Sequence, residues 1–193
     1  MTVANQITLI RILLIPVFVG FVIYYARSLE AGMGDERLRY AAIVTFTIAA
    51  LSDALDGWVA RRFNQFSKLG VILDPLADKL LLISAICTLS FGDWPVKLPL
   101  WFVILYLSRE VLSIIGAFVI QFIVGKVNIR AHWTGKVATF SEITVVSVAL
   151  LCLPKLILPV SIFSALFIFT SGMIYIGEAI RQIKVTGHGK SAT

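Results

Sequence analysis

Charge is scarce in this chain: of its 193 residues only 15% are Asp, Glu, Lys or Arg, against roughly 25% in an ordinary soluble domain. Apolar residues make up 59% and the mean hydropathy is +0.92, so a soluble globular domain is excluded as the class. Cysteine is nearly absent. Cys87 and Cys152 both lie in apolar runs, which argues against a disulfide framework or a cysteine-based zinc site and leaves two small buried hydrophobes. The two histidines, His132 and His188, have no metal-ligand spacing between them. Acidic residues are outnumbered 11 to 17, a net charge of +6. In a membrane chain that surplus points to cytoplasmic loops over an anionic leaflet, not to nucleic acid. There is no internal repeat, low-complexity tract or soluble linker, and the first apolar stretch does not read as a cleaved signal. It is long, is interrupted by Arg11, and carries bulky Tyr24 and Tyr25 where a cleavage site would need small residues.

What the chain has in abundance is long apolar runs. Measured against about 20 residues per membrane crossing, they predict six spans near residues 7–26, 38–60, 71–91, 98–124, 137–153 and 156–179. The expected fold is therefore all-α: an integral membrane bundle of six transmembrane helices forming a single catalytic domain over residues 1–193. The breaks carry turn chemistry, with Gly32 and Gly34 before Asp35 and Glu36, then Gly92-Asp93, Gly125, and Pro154 with Pro159. With the N-terminus inside, nine Lys and Arg residues fall on the inner side and five on the outer, so both termini are expected to be cytoplasmic. Trp94, Trp101 and Trp133 fall near span boundaries, as an aromatic belt would, and the polar tail from Thr186 to Thr193 reads as frayed.

Against this apolar background four carboxylates stand out within 26 positions: Asp53 and Asp56 at the inner end of the second span, Asp74 and Asp78 near the inner start of the third. An ionisable residue inside a span costs about 2.5–3.5 kcal/mol on the insertion scale and defaults to a functional hypothesis. Spacings of three and four put each pair on one helical face. The short polar connection from Arg62 to Leu69 makes the two helices antiparallel neighbours. Four such carboxylates would take up protons or bind cations. All-oxygen ligands favour hard divalent ions such as Mg²⁺, Mn²⁺ or Ca²⁺ over zinc, and two ions would suit in-line phosphoryl chemistry. The structural alternative is solvation at headgroup level or pairing with Arg61, Arg62 and Lys79. Gly57 and Ala60, near the same face, leave room for something flat, or merely allow close helix packing.

The stretch from Ser52 to Lys79, SDALDGWVARRFNQFSKLGVILDPLADK, resembles the signature of the CDP-alcohol phosphotransferase family, D-x2-D-G-x2-A-R-x8-G-x3-D-x3-D. All eight fixed positions are met, by Asp53, Asp56, Gly57, Ala60, Arg61, Gly70, Asp74 and Asp78. Outside the signature, Asn5, Thr8 and Arg11 resemble an amino-terminal N-x2-T-x2-R of the branch whose acceptor is sn-glycerol 3-phosphate. Asp74-Pro75, Ser108-Arg109-Glu110 and Gly135-Lys136 are similar to the same branch, while Ala4 departs from it where proline is common.

This resemblance implies transfer of a phosphatidyl group from CDP-diacylglycerol to sn-glycerol 3-phosphate, releasing CMP, at the cytoplasmic face of the cell membrane by a homodimer. It implies that Asp53, Asp56, Asp74 and Asp78 hold two Mg²⁺ or Mn²⁺ ions, with Asp78 also the general base. Gly57, Ala60 and Gly70 would admit the cytidine diphosphate, Arg61 and Ser67 would meet its phosphates, and Asn5, Thr8 and Arg11 would lie close by. For the acceptor's own phosphate the candidates are Arg109, deep in the fourth span, with Lys136 and Arg130. The structural alternative for Arg109 is pairing with Glu110 or Glu142. Two rival functions remain: a relative using serine, inositol phosphate or phosphatidylglycerol as acceptor, and a divalent-cation transporter. The transporter is opposed by the gathering of acids near one membrane face and by the lack of matched broken helices.

Overall fold

A computed structural model describes the backbone of residues 3–63, 70–124 and 133–189, and the side chains of residues 6–52, 76–116, 118 and 133–178. Among the described residues there are six helices and no strand: α1 (Val3–Glu30), α2 (Glu36–Phe63), α3 (Gly70–Phe91), α4 (Leu100–Val124), α5 (Trp133–Leu150) and α6 (Pro154–Gly189). Each answers to one expected apolar run. The largest difference is at the carboxyl end of α6, where the expected run stops at residue 179. α1 continues four residues past Ala26 and α6 reaches Gly189, because a formed helix adds one hydrogen bond per residue and neither extension contains a proline to stop it.

Two helical segments, Gln6–Glu30 and Pro154–Glu178, are long and apolar enough to cross a membrane, and only 22% and 17% of their most apolar windows are buried. Such low burial is unlike the core helix of a soluble protein. Apolar side chains such as Leu13, Phe118, Phe140 and Leu166 are exposed instead, which fits a protein whose solvent is lipid.

The chain forms two compact units, one made of Met1–Leu98 with Ile143–Ile157, the other of Pro99–Glu142 with Leu158–Thr193. In the first, α1 packs against both α2 and α3. Ala42 and Ala49 on α2 and Ala77 and Ala85 on α3 are completely buried, small residues that let helix backbones approach. Phe18 meets Phe46 with ring centroids 5.6 Å apart. At the α1–α2 turn Gly32 (φ +74°) and Gly34 (φ +54°) adopt left-handed backbone that other residues resist. The Met33 and Gly34 amides both donate to the Ser28 carbonyl, and Asp35 caps α2 through Oδ1 on the Arg37 amide.

Trp94 does not join an aromatic belt. It is 1% exposed, its indole N–H donates to the Ala149 carbonyl at 2.8 Å, and its ring lies 4.9 Å from that of Tyr25. A donor that finds a carbonyl in the interior has no reason to sit at the interface. Trp101 and Trp133 are exposed, as expected of the belt.

In the second unit polar contacts join apolar helices that also bury Phe102, Val103, Ala138 and Ile168. Ser141 and Ser164 join α5 to α6 through a 2.9 Å hydroxyl pair, and the Tyr175 hydroxyl donates to the Ser113 carbonyl of α4 at 2.9 Å. Gly116 lets the Tyr175 ring lie against α4, since a Cβ there would come within 2.7 Å of the ring.

Candidate active site

The signature occupies the last turns of α2 and the first turns of α3. Asp53, Asp56, Gly57, Ala60 and Arg61 lie on the α2 backbone, Gly70 opens α3, and Asp74 follows one turn before Asp78. The side chains of Asn5, Asp53, Asp56, Ala60, Arg61 and Asp74 lie outside the described residues, as do Ser67 and Arg130 altogether.

Asp78 is the signature carboxylate that is described, and its surroundings come from α1. The Arg11 guanidinium donates through Nη1 to Asp78 Oδ1. Its Nε donates to Ser52 Oγ at 3.4 Å, and that hydroxyl donates in turn to the Ala49 carbonyl at 2.7 Å. Arg11 is completely buried whereas the Asp78 side chain is 36% exposed. Thr8, one turn before Arg11, is also fully buried. An isolated guanidinium in such surroundings would cost several kcal/mol, so the charge is tolerable because the carboxylate faces it. Three helices therefore converge on one cation: α1 supplies it, α3 its counter-ion, and α2 a hydroxyl one residue before Asp53.

Ser52 is not among the residues the sequence singles out. Its one signal is position, directly preceding the signature and one helical turn before Asp56. Thr8, Arg11 and Asp78 all belong to the predicted set, and the structure brings the last two into direct contact.

In the second unit, Arg109 is 17% exposed and donates through Nη1 to Glu110 Oε1 at 2.6 Å and to Glu142 Oε1 at 3.3 Å. Glu110 and Glu142 are 6% and 1% exposed. Pairing with Glu110 or Glu142, given above as the structural alternative for Arg109, is thus present, and with both acids. A cavity of about 190 Å³ opens beside Arg109 between Leu105 and Leu112 of α4 and Phe169 and Met173 of α6. The guanidinium is a cation at the edge of an otherwise apolar recess. Lys136, in the first turn of α5, is exposed.

A family model described as CDP-alcohol phosphatidyltransferase matches residues 1–176. A probable phosphatidylglycerophosphate synthase of Mycobacterium tuberculosis is 32% identical over 186 residues, covering 93% of this chain and 82% of the relative. The CDP-diacylglycerol–glycerol-3-phosphate 3-phosphatidyltransferase of Bacillus subtilis is 37% identical over 150 residues, covering 76% of this chain and 75% of the relative. A cardiolipin synthase (CMP-forming) of Streptomyces coelicolor is 30% identical over 141 residues, covering 73% and 61%. Family members generally depend on a divalent metal ion, a requirement that an all-oxygen set of four aspartates fits. With the full signature carried on α2 and α3 and the family model spanning nearly its whole length, this chain belongs to the CDP-alcohol phosphatidyltransferase family.

Proposed function

We propose that the protein transfers the phosphatidyl group of CDP-diacylglycerol to the 1-hydroxyl of sn-glycerol 3-phosphate, giving phosphatidylglycerophosphate, a precursor of phosphatidylglycerol and cardiolipin, and CMP. One observation carries this reading: relatives named for that transfer or its product match 76% and 93% of the chain, over a stretch that includes the whole signature. The acceptor oxygen attacks the phosphatidyl phosphorus, the bond from that phosphorus to the bridging oxygen breaks, and CMP departs with the electron pair.

Asp53, Asp56, Asp74 and Asp78 are the residues that would hold two Mg²⁺ or Mn²⁺ ions. When bound, these ions supply positive charge to the diphosphate and to the departing CMP. Asp78 takes the proton of the acceptor hydroxyl. Gly57, Ala60 and Gly70 leave the backbone open to the nucleotide, Arg61 and Ser67 bind its phosphates, and Asn5 and Thr8 stand near it. Arg109, Lys136 and Arg130 bind the acceptor's phosphate. Because Glu110 and Glu142 share Nη1 of Arg109, the acceptor meets the other N–H groups of that fork.

The same reading makes residues 1–193 one catalytic domain of six transmembrane helices in the cytoplasmic membrane, working as a homodimer with termini and active site on the cytoplasmic side. A second reading, with phosphatidylglycerol as acceptor, is favoured by the likeness to the Streptomyces coelicolor cardiolipin synthase.

The test is CMP release by purified protein in mixed micelles containing CDP-diacylglycerol and Mg²⁺. Glycerol 3-phosphate, serine, inositol phosphate and phosphatidylglycerol are supplied separately, beside an Asp78→Asn control. Release with glycerol 3-phosphate alone, reduced about 10³-fold in the control, is expected. Release with another acceptor overturns the acceptor assignment, and metal flux in sealed vesicles without CMP release returns the transporter.

A further inference from the structure

The sequence pattern groups Arg11 with the nucleotide ligands, but its surroundings give it different work. A cation meant for a substrate phosphate must reach that phosphate. Arg11 is completely buried, and two of its nitrogens are already committed, Nη1 to Asp78 Oδ1 and Nε to Ser52 Oγ. The partners it has chosen flank the signature: Ser52 stands immediately before its first aspartate and Asp78 is its last. The two contacts cross 41 and 67 residues of chain and leave from one side chain on a third helix.

A guanidinium is suited to this because its N–H groups point in fixed, diverging directions in one plane, whereas a lysine ammonium offers a point charge on a flexible stem. Held at Oδ1, the Asp78 carboxylate loses rotational freedom about its side-chain torsions, and the oxygen that takes the acceptor's proton is aimed. The link to Ser52 ties that orientation to the α2 backbone at Asp53. The geometry points to Arg11 as a positioning residue for Asp78, tying the two helices of the signature together from α1, and not as a ligand of CDP-diacylglycerol. This inference rests on the proposed transfer reaction, since it takes Asp78 as the base.

The experiment pairs turnover with a binding measurement that needs none. Wild type, Arg11→Lys, Arg11→Ala, Ser52→Ala and the Arg11→Lys/Ser52→Ala double variant are purified in micelles. Each is assayed for kcat and for both KM values, and CMP affinity is measured by equilibrium dialysis with Mg²⁺ present. The expected results are a fall in kcat of about tenfold in Arg11→Lys and at least a hundredfold in Arg11→Ala, with both KM values and the Kd for CMP within threefold of wild type. Guanidinium ion added to Arg11→Ala restores part of kcat, because it re-enters the space the side chain leaves. Ser52→Ala lowers kcat a few fold in wild type and has no further effect in Arg11→Lys, where the second arm of the fork is already gone.

A rise of tenfold or more in the Kd for CMP or the KM for CDP-diacylglycerol, with kcat kept, makes Arg11 a nucleotide ligand and overturns the inference. Wild-type kinetics in Arg11→Lys, or loss of activity in both Arg11 variants without guanidinium rescue, overturns it as well. The transfer reaction fails separately: wild type that binds CMP yet releases none from CDP-diacylglycerol with any acceptor refutes the reaction, with the Kd series still deciding whether Arg11 touches the nucleotide.

Discussion

Each of the two units encloses an arginine within a long apolar helix, and the two are solved in opposite ways. Arg11 is sealed, meets Asp78 through one nitrogen and Ser52 through another, and its carboxylate partner is the more exposed member. Arg109 meets two carboxylates through a single nitrogen, is itself partly exposed beside a cavity, and its partners are the buried members. In the first unit the cation is buried and the acid reaches outward. In the second the acids are buried and the cation reaches outward. The sign of the more buried partner is inverted between the two units.

Three changes test that inversion. The largest effect is expected from Arg109→Met, which keeps the apolar stem but takes the guanidinium from two buried carboxylates. Unfolding in mixed micelles should show a loss of about 3–5 kcal/mol, with a rise in the KM for glycerol 3-phosphate in whatever protein remains folded. A variant as stable as wild type would mean that the acids do not depend on Arg109 for their charge balance.

A smaller effect is expected from Glu142→Gln, which preserves the shape and an acceptor oxygen for Arg109 but removes one negative charge. If the glutamates only support, the freed positive potential should lower the KM for glycerol 3-phosphate by about three- to fivefold, roughly 1 kcal/mol, with the KM for CDP-diacylglycerol unchanged. Equal movement of both KM values would remove Arg109 from the acceptor's side of the reaction.

The smallest is Tyr175→Phe, which deletes the 2.9 Å bond to the Ser113 carbonyl and leaves the ring against Gly116. It should cost about 1 kcal/mol of stability and leave both KM values alone. A shift in the acceptor KM would instead show that the wall of the recess beside Arg109 takes part in acceptor binding.

The helices themselves were legible because membrane crossing imposes a length and turn residues mark its ends: Gly32, Gly34 and Pro154 stand where the chain breaks. The signature was legible because its spacing is local, with each aspartate pair three or four residues apart on one helix. What sequence could not provide was the partners of Arg11. Its contacts with Asp78 and Ser52 span 67 and 41 residues, distances at which helical periodicity says nothing, whereas Glu110 and Glu142 are readable from the sequence as partners for Arg109, and both contacts are present. Trp94 was misplaced for a related reason. Its nearness to a span end is visible in the sequence, but the carbonyl of Ala149 that draws its indole inward is 55 residues away.

That buried indole has a practical consequence. Trp94 is shielded from solvent, hydrogen-bonded, and within 4.9 Å of a tyrosine ring, whereas Trp101 and Trp133 are open to their surroundings. Its fluorescence should therefore lie at shorter wavelength than theirs and resist collisional quenchers. In a variant with Trp58, Trp101 and Trp133 each replaced by Phe, Trp94 is the one tryptophan left, so assembly of the first unit can be followed through refolding from detergent without attaching any label.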